Sequence, residues 1–135
     1  MSIKSHLQVA GVLLILLALA QPGFGWYFDW RRETAKLSTF TRQVFQVHGF
    51  FIAVVLAMMG GLSLVYAHDL LEPTPIARAV LAAFAVFWIL RALAQWFWYD
   101  SSVWRGSTFR TAMHVVFSVL WLYLSGVYAF AWFAR

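Results

Sequence analysis

Four apolar stretches, each long enough to cross a bilayer and separated by short polar loops, predict an all-α protein. The expected architecture is an integral membrane four-helix transmembrane bundle with a short interfacial helix between spans one and two. Composition points the same way. With 63% hydrophobic and 11% charged residues and a mean hydropathy of +0.75, the chain lies outside the range of soluble domains. At roughly 20 apolar residues per span, four spans and their connections use nearly all of the 135 residues, which predicts a single transmembrane domain over 1–135. Any chemistry then sits among the helices, at their interfaces or in a partner.

The first span is expected over about 7–28, with an apolar run from Val9 to Ala20 ahead of Gln21 and Pro22. Lys4, that run and Ala18-Leu19-Ala20 also fit a signal peptide covering residues 1–20. From Trp26 to Thr41, Trp26, Tyr27, Phe28, Trp30, Leu37 and Phe40 alternate with Asp29, Arg31, Arg32, Glu33 and Lys36, the composition of a short helix in the headgroup region. Span two is expected over about 44–68. The segment Asp69 to Pro75 holds two prolines and two acids and makes a tight turn. Span three follows over about 76–99, Gly106 and Ser107 help to turn the chain, and span four covers about 109–133.

Loop charges orient these spans. The loops after spans one and three hold Arg31, Arg32, Lys36, Arg42, Arg105 and Arg110, against Lys4, Arg78 and Arg135 on the other side. The positive-inside rule then puts both termini outside and the basic loops in the cytoplasm, with a bacterial inner membrane as the setting. Cleavage after Ala20 would reverse the sign of this bias, so the uncleaved four-span reading is preferred. The net charge of +5 comes from ten scattered Lys and Arg rather than a basic run, which speaks of topology and lipid headgroups, not nucleic acid. Cysteine is absent, excluding disulfides, thiolate metal sites, iron–sulfur clusters and thioether-linked haem.

Polar residues inside the spans carry the functional signal. With a rise of about 1.5 Å per residue, His48 lies roughly 6 Å inside span two and His114 about 7 Å inside span four, while Gln95 is roughly 6 Å and Arg91 roughly 12 Å from the same end of span three. Arg91, Gln95 and Tyr99 recur at i, i+4 and i+8 and share one helix face, with Trp88 close to that stripe. A charge at the depth of Arg91 costs roughly 3 kcal/mol on insertion scales, so it should face protein and find a partner. No acid lies in the hydrocarbon part of any span, which leaves His48, His114, Tyr123, backbone carbonyls, interfacial Asp100 or an anionic ligand. His68 beside Asp69, and His6 near the N-terminus, are read as interfacial residues.

Two histidines facing each other at one level suit a bis-histidine haem b, with His48 and His114 as iron ligands and Arg42, Arg105 or Arg110 on the propionates. A quinone would use the same layer differently. Tyr99, Gln95 or a histidine would donate to a carbonyl, and Trp88, Trp96, Trp98 or Trp121 would wall the ring. A divalent metal on the two histidines lacks nearby acids. Bland readings compete: an intramembrane His or Gln also serves as interhelical glue, Gly60-Gly61, Ser118, Ser125 and Gly126 read as packing, and Trp26, Trp30, Trp96, Trp98, Trp104 and Trp132 form interfacial belts. Hydrolase triads, zinc-protease motifs and phosphate-binding glycine loops are absent from the sequence.

In size, helix count and paired histidines, with the stretches Phe45 to Phe51 and Trp88 to Asp100, the chain loosely resembles the small haem- or quinone-bearing anchor subunits of respiratory complexes. That resemblance matches no family-specific motif and implies a haem or a quinone. Binding of such a cofactor or ligand ranks first, with the lipid bilayer as surroundings. A non-catalytic accessory subunit, contacting other membrane subunits or a second copy, comes next. A small transporter or lipid-handling enzyme using Arg91 is third.

Overall fold

The computed structural model describes residues 1–27, 29–99 and 106–134. These residues are helical throughout their long segments, and four helices are long and apolar enough to cross a membrane. They are α1 (Ile3–Tyr27), α3 (Thr39–Val65), α5 (Pro75–Phe97) and α6 (Thr108–Phe133), with the short helices α2 (Trp30–Thr34) and α4 (Ala67–Leu70) between them. The expected all-α class, the four spans and the short helix between the first two are all present.

Helix starts follow capping chemistry rather than the edge of the apolar run. Ser38 accepts from the Thr41 backbone N–H, so α3 begins at Thr39, five residues ahead of the expected span. Thr74 caps α5 in the same way through Ala77, with Pro75 in the first turn, and Ser107 caps α6 through Arg110. α3 ends at Val65, so His68 lies in α4 rather than in a span, where its Nε2 sits 3.2 Å from Glu72.

The chain divides into two compact units, one of residues 8–66 and the other of residues 1–7 with 67–135. In the first, α1 and α3 meet at glycines. A Cβ on Gly11 would stand 2.7 Å from the Gly60 carbonyl oxygen, and one on Gly60 would stand 2.8 Å from that of Gly11. Backbones approach this closely only where neither residue has a side chain, the usual device for packing helices in lipid. Nearby in sequence, Trp30 on α2 meets Phe45 edge-on at 5.5 Å.

In the other unit α5 and α6 form an antiparallel pair: Arg78 lies over the Trp132 ring, Phe84 meets Tyr128 edge-on, and Trp88 stacks on Trp121, so residue numbers rise on one helix as they fall on the other. Its core includes Leu81, Ala85, Trp88, Ala92, Leu124 and Tyr128. The start of α1 belongs here too, and His6 Nδ1 lies 2.9 Å from the Tyr123 hydroxyl. His6 is thus engaged by α6, a pairing that its position at the chain end did not suggest, and Tyr123 takes His6 rather than Arg91 as its partner.

Candidate ligand-binding site

The polar residues of α5 and α6 converge on one amide, that of Gln95. Gln95 is buried, and its Oε1 lies 3.3 Å from Arg91 Nη1 and 3.3 Å from Trp121 Nε1. Both neighbours are pure donors, so the atom between them is an acceptor and the amide orientation is forced. Nε2 then faces His114 Nδ1 at 2.9 Å. An amide N–H donates, so Nδ1 accepts and neutral His114 holds its proton on Nε2.

Arg91 follows from the same geometry. One turn before Gln95 on α5, its guanidinium also lies 4.8 Å from the Trp121 ring and 5.8 Å from the Tyr99 ring. Among the described residues no carboxylate pairs with it; its partners are an amide and two aromatic faces. The guanidinium has five N–H donors and one hydrogen bond among these residues.

Aromatic rings extend the site. Trp121 stacks with Trp88 at 5.2 Å and with Phe117 at 5.5 Å. Trp88 is only 1% exposed and its Nε1 has no hydrogen-bond partner among the described residues. A buried indole N–H usually finds an acceptor, so this one marks a place where an acceptor is missing. Trp96 donates to Ser118 at 3.1 Å, and the Ser125 hydroxyl donates to the Trp121 carbonyl at 2.7 Å.

Of the residues expected to form the site, Arg91, Gln95, His114 and Trp88 are joined through Gln95 and Trp121, and Tyr99 adds its ring beside Arg91. His48 belongs to the other unit, and its exposed ring bonds the Val44 carbonyl one turn back at 2.8 Å. Because α3 starts at Thr39, His48 is about 13 Å along its helix, not the 6 Å that a start at Val44 implied. Asp100, Trp104 and Arg105 lie outside the described residues. Two contributors were understated in the sequence: Trp121 as the donor that fixes the amide, and Phe117 beside it. The signal was available, because His114, Phe117 or Ser118, and Trp121 repeat at i, i+3 or i+4, and i+7.

A haem-ligating histidine coordinates iron through one ring nitrogen and donates its other N–H to an acceptor. At His114 the nitrogen facing Gln95 accepts instead, leaving the proton on the nitrogen that iron would need. The residues present therefore do not fit an iron ligand at this position, whereas an orphaned indole N–H and a cation with neutral partners fit a group that accepts hydrogen bonds.

No protein-family model matches the chain, and no curated protein or solved structure matches it closely enough to count.

Proposed function

We propose that this small membrane protein binds an amphipathic ligand of the quinone type at the α5–α6 layer, with Arg91 as the main contact for its polar head and Trp88, Trp121 and Phe117 as the aromatic surroundings. The observation that carries the reading is Arg91. An intramembrane guanidinium whose partners among the described residues are all neutral remains costly in lipid, and an anionic or strongly polarised acceptor lowers that cost. The unpartnered Trp88 N–H adds a second unmet donor in the same aromatic cluster.

With the basic loops on the cytoplasmic side, the layer lies in the cytoplasmic leaflet, near the connection between α5 and α6. Head groups of membrane-dissolved ligands reach this depth without leaving the lipid. Quinone rather than haem is preferred because the His114 tautomer suits a hydrogen-bonding ring and opposes iron ligation.

Calorimetric titration of decylubiquinone into the detergent-purified protein, with a micelle blank subtracted, tests this. Saturable binding that weakens at least about tenfold in Arg91→Met is expected, that being the factor for loss of a charged hydrogen bond worth about 1.5 kcal/mol or more. Absence of binding, or binding indifferent to Arg91→Met, would remove the proposal. So would a Soret band lost on replacing His114, which would establish the haem reading instead.

A further inference from the structure

We infer that this layer distinguishes the two redox forms of its ligand, taking the oxidised quinone, whose head only accepts hydrogen bonds, and rejecting the quinol. The inference rests on the quinone-type reading and follows from the direction of every hydrogen bond around Gln95. Oε1 of Gln95 receives Arg91 and Trp121, so both of its lone pairs are engaged. Nδ1 of His114, the acceptor of that ring in this tautomer, receives Gln95 Nε2. Ser118 Oγ receives Trp96. These acceptors, on Gln95, His114 and Ser118, are thus turned inward onto the layer's own donors.

The donors are in surplus. Among the described residues, Arg91 engages one of its N–H groups in a hydrogen bond and the buried Trp88 N–H has no partner. A quinone carbonyl brings two lone pairs and no proton, and satisfies such groups. A quinol hydroxyl brings a proton that needs an acceptor, and burying it unpaired carries the desolvation cost of a lost hydrogen bond. Sites built around one hydrogen-bond polarity reject the mismatched ligand far more strongly than apolar pockets reject a change in size.

The Gln95 amide is the element that sets this polarity. Gln95→Glu replaces the donor facing His114 by an acceptor. His114 then holds its proton on Nδ1 and its Nε2 becomes a lone pair, while the carboxylate adds further acceptor capacity beside Arg91. One substitution converts a donor-rich layer into one with acceptors to offer. Tyr99, whose side chain is nearly half exposed, carries the neighbouring hydroxyl, and Tyr99→Phe separates its contribution from that of Gln95.

The test is calorimetric titration of the detergent-purified wild-type protein with decylubiquinone and, under argon, with its quinol, followed by the same pair on Gln95→Glu and Tyr99→Phe. The expected result is roughly tenfold tighter binding of the quinone by the wild type, a ratio preserved in Tyr99→Phe and shifted toward the quinol in Gln95→Glu. Binding of both forms with equal affinity, or of the quinol more tightly, would overturn the redox selectivity and leave the ligand class standing. Binding of neither form would overturn both. The wild-type comparison decides the inference even where a variant does not fold.

Discussion

His48 on α3 and His114 on α6 have the same side chain in similarly apolar helices, yet their surroundings give them opposite tautomers. His48 Nδ1 faces a backbone carbonyl at 2.8 Å, which only accepts, so Nδ1 carries the proton and Nε2 is a lone pair. His114 Nδ1 faces the Gln95 N–H at 2.9 Å, so Nδ1 accepts and Nε2 carries the proton. The first histidine is served by its own helix one turn back and leans on no other element for that bond. The second is fixed by a residue of the neighbouring helix, itself fixed by two further donors. Histidine chemistry inside a membrane is therefore decided by the direction of the neighbouring hydrogen bond, and depth along the helix carries less information.

The largest expected separation between the two regions is in ligand affinity. Arg91→Met should weaken decylubiquinone binding by about tenfold or more, while His48→Phe should leave it within about twofold, the usual range for a surface change. Calorimetry on the two variants checks both. Equal losses would mean that the two histidine regions act together on one ligand, and the contrast would fail.

Stability supplies the next test. Gly11→Leu forces a side chain into the Gly60 carbonyl, and backbone cannot yield as a flexible side chain can. Overpacking of this kind costs roughly 1–3 kcal/mol or more, to be read as a lower unfolding midpoint in detergent. Gly61→Ala, where an added Cβ meets nothing within 4 Å, should be close to neutral. A neutral Gly11→Leu would show that α1 and α3 do not cross as described.

Gln95→Leu leaves Arg91, Trp121 and His114 without their common partner and should cost roughly 1–2 kcal/mol, the range for buried and interhelical hydrogen bonds. His48→Phe, at an exposed position with a bond to its own helix, should change stability by less than about 0.5 kcal/mol. Thermal unfolding of the pair orders them, and a larger loss for His48→Phe would reverse the roles assigned to the two residues.

Much of this was legible from sequence because membrane folding imposes strong rules. Span number and type followed from the length of the apolar runs, and α2 followed from aromatic and charged residues alternating between Trp26 and Thr41. The Arg91, Gln95 and Tyr99 face and the involvement of His114 followed from helical spacing and the scarcity of polar residues in lipid. The level read for His48 rested on a span starting at Val44, whereas α3 starts at Thr39, where Ser38 accepts from the Thr41 N–H. Gly11 was indistinguishable from any glycine in an apolar run, since only the close crossing, at which an added Cβ would stand 2.7 Å from the Gly60 carbonyl oxygen, reveals its purpose. Helical spacing puts Trp121 on the face of His114, but its part in fixing the amide shows only through the acceptor that its indole N–H meets.

Gln95 holds His114 in the tautomer that makes the α5–α6 layer rich in donors. Nitrogen-15 NMR of histidine-labelled protein in detergent micelles, assigned with His48→Phe and His114→Phe, measures this directly. The expected result is a His114 ring protonated at Nε2 and unprotonated at Nδ1, with His48 showing the reverse. A His114 ring protonated at Nδ1 would contradict it, because the Gln95 amide would then have to point the other way and the layer would offer acceptors where donors are claimed.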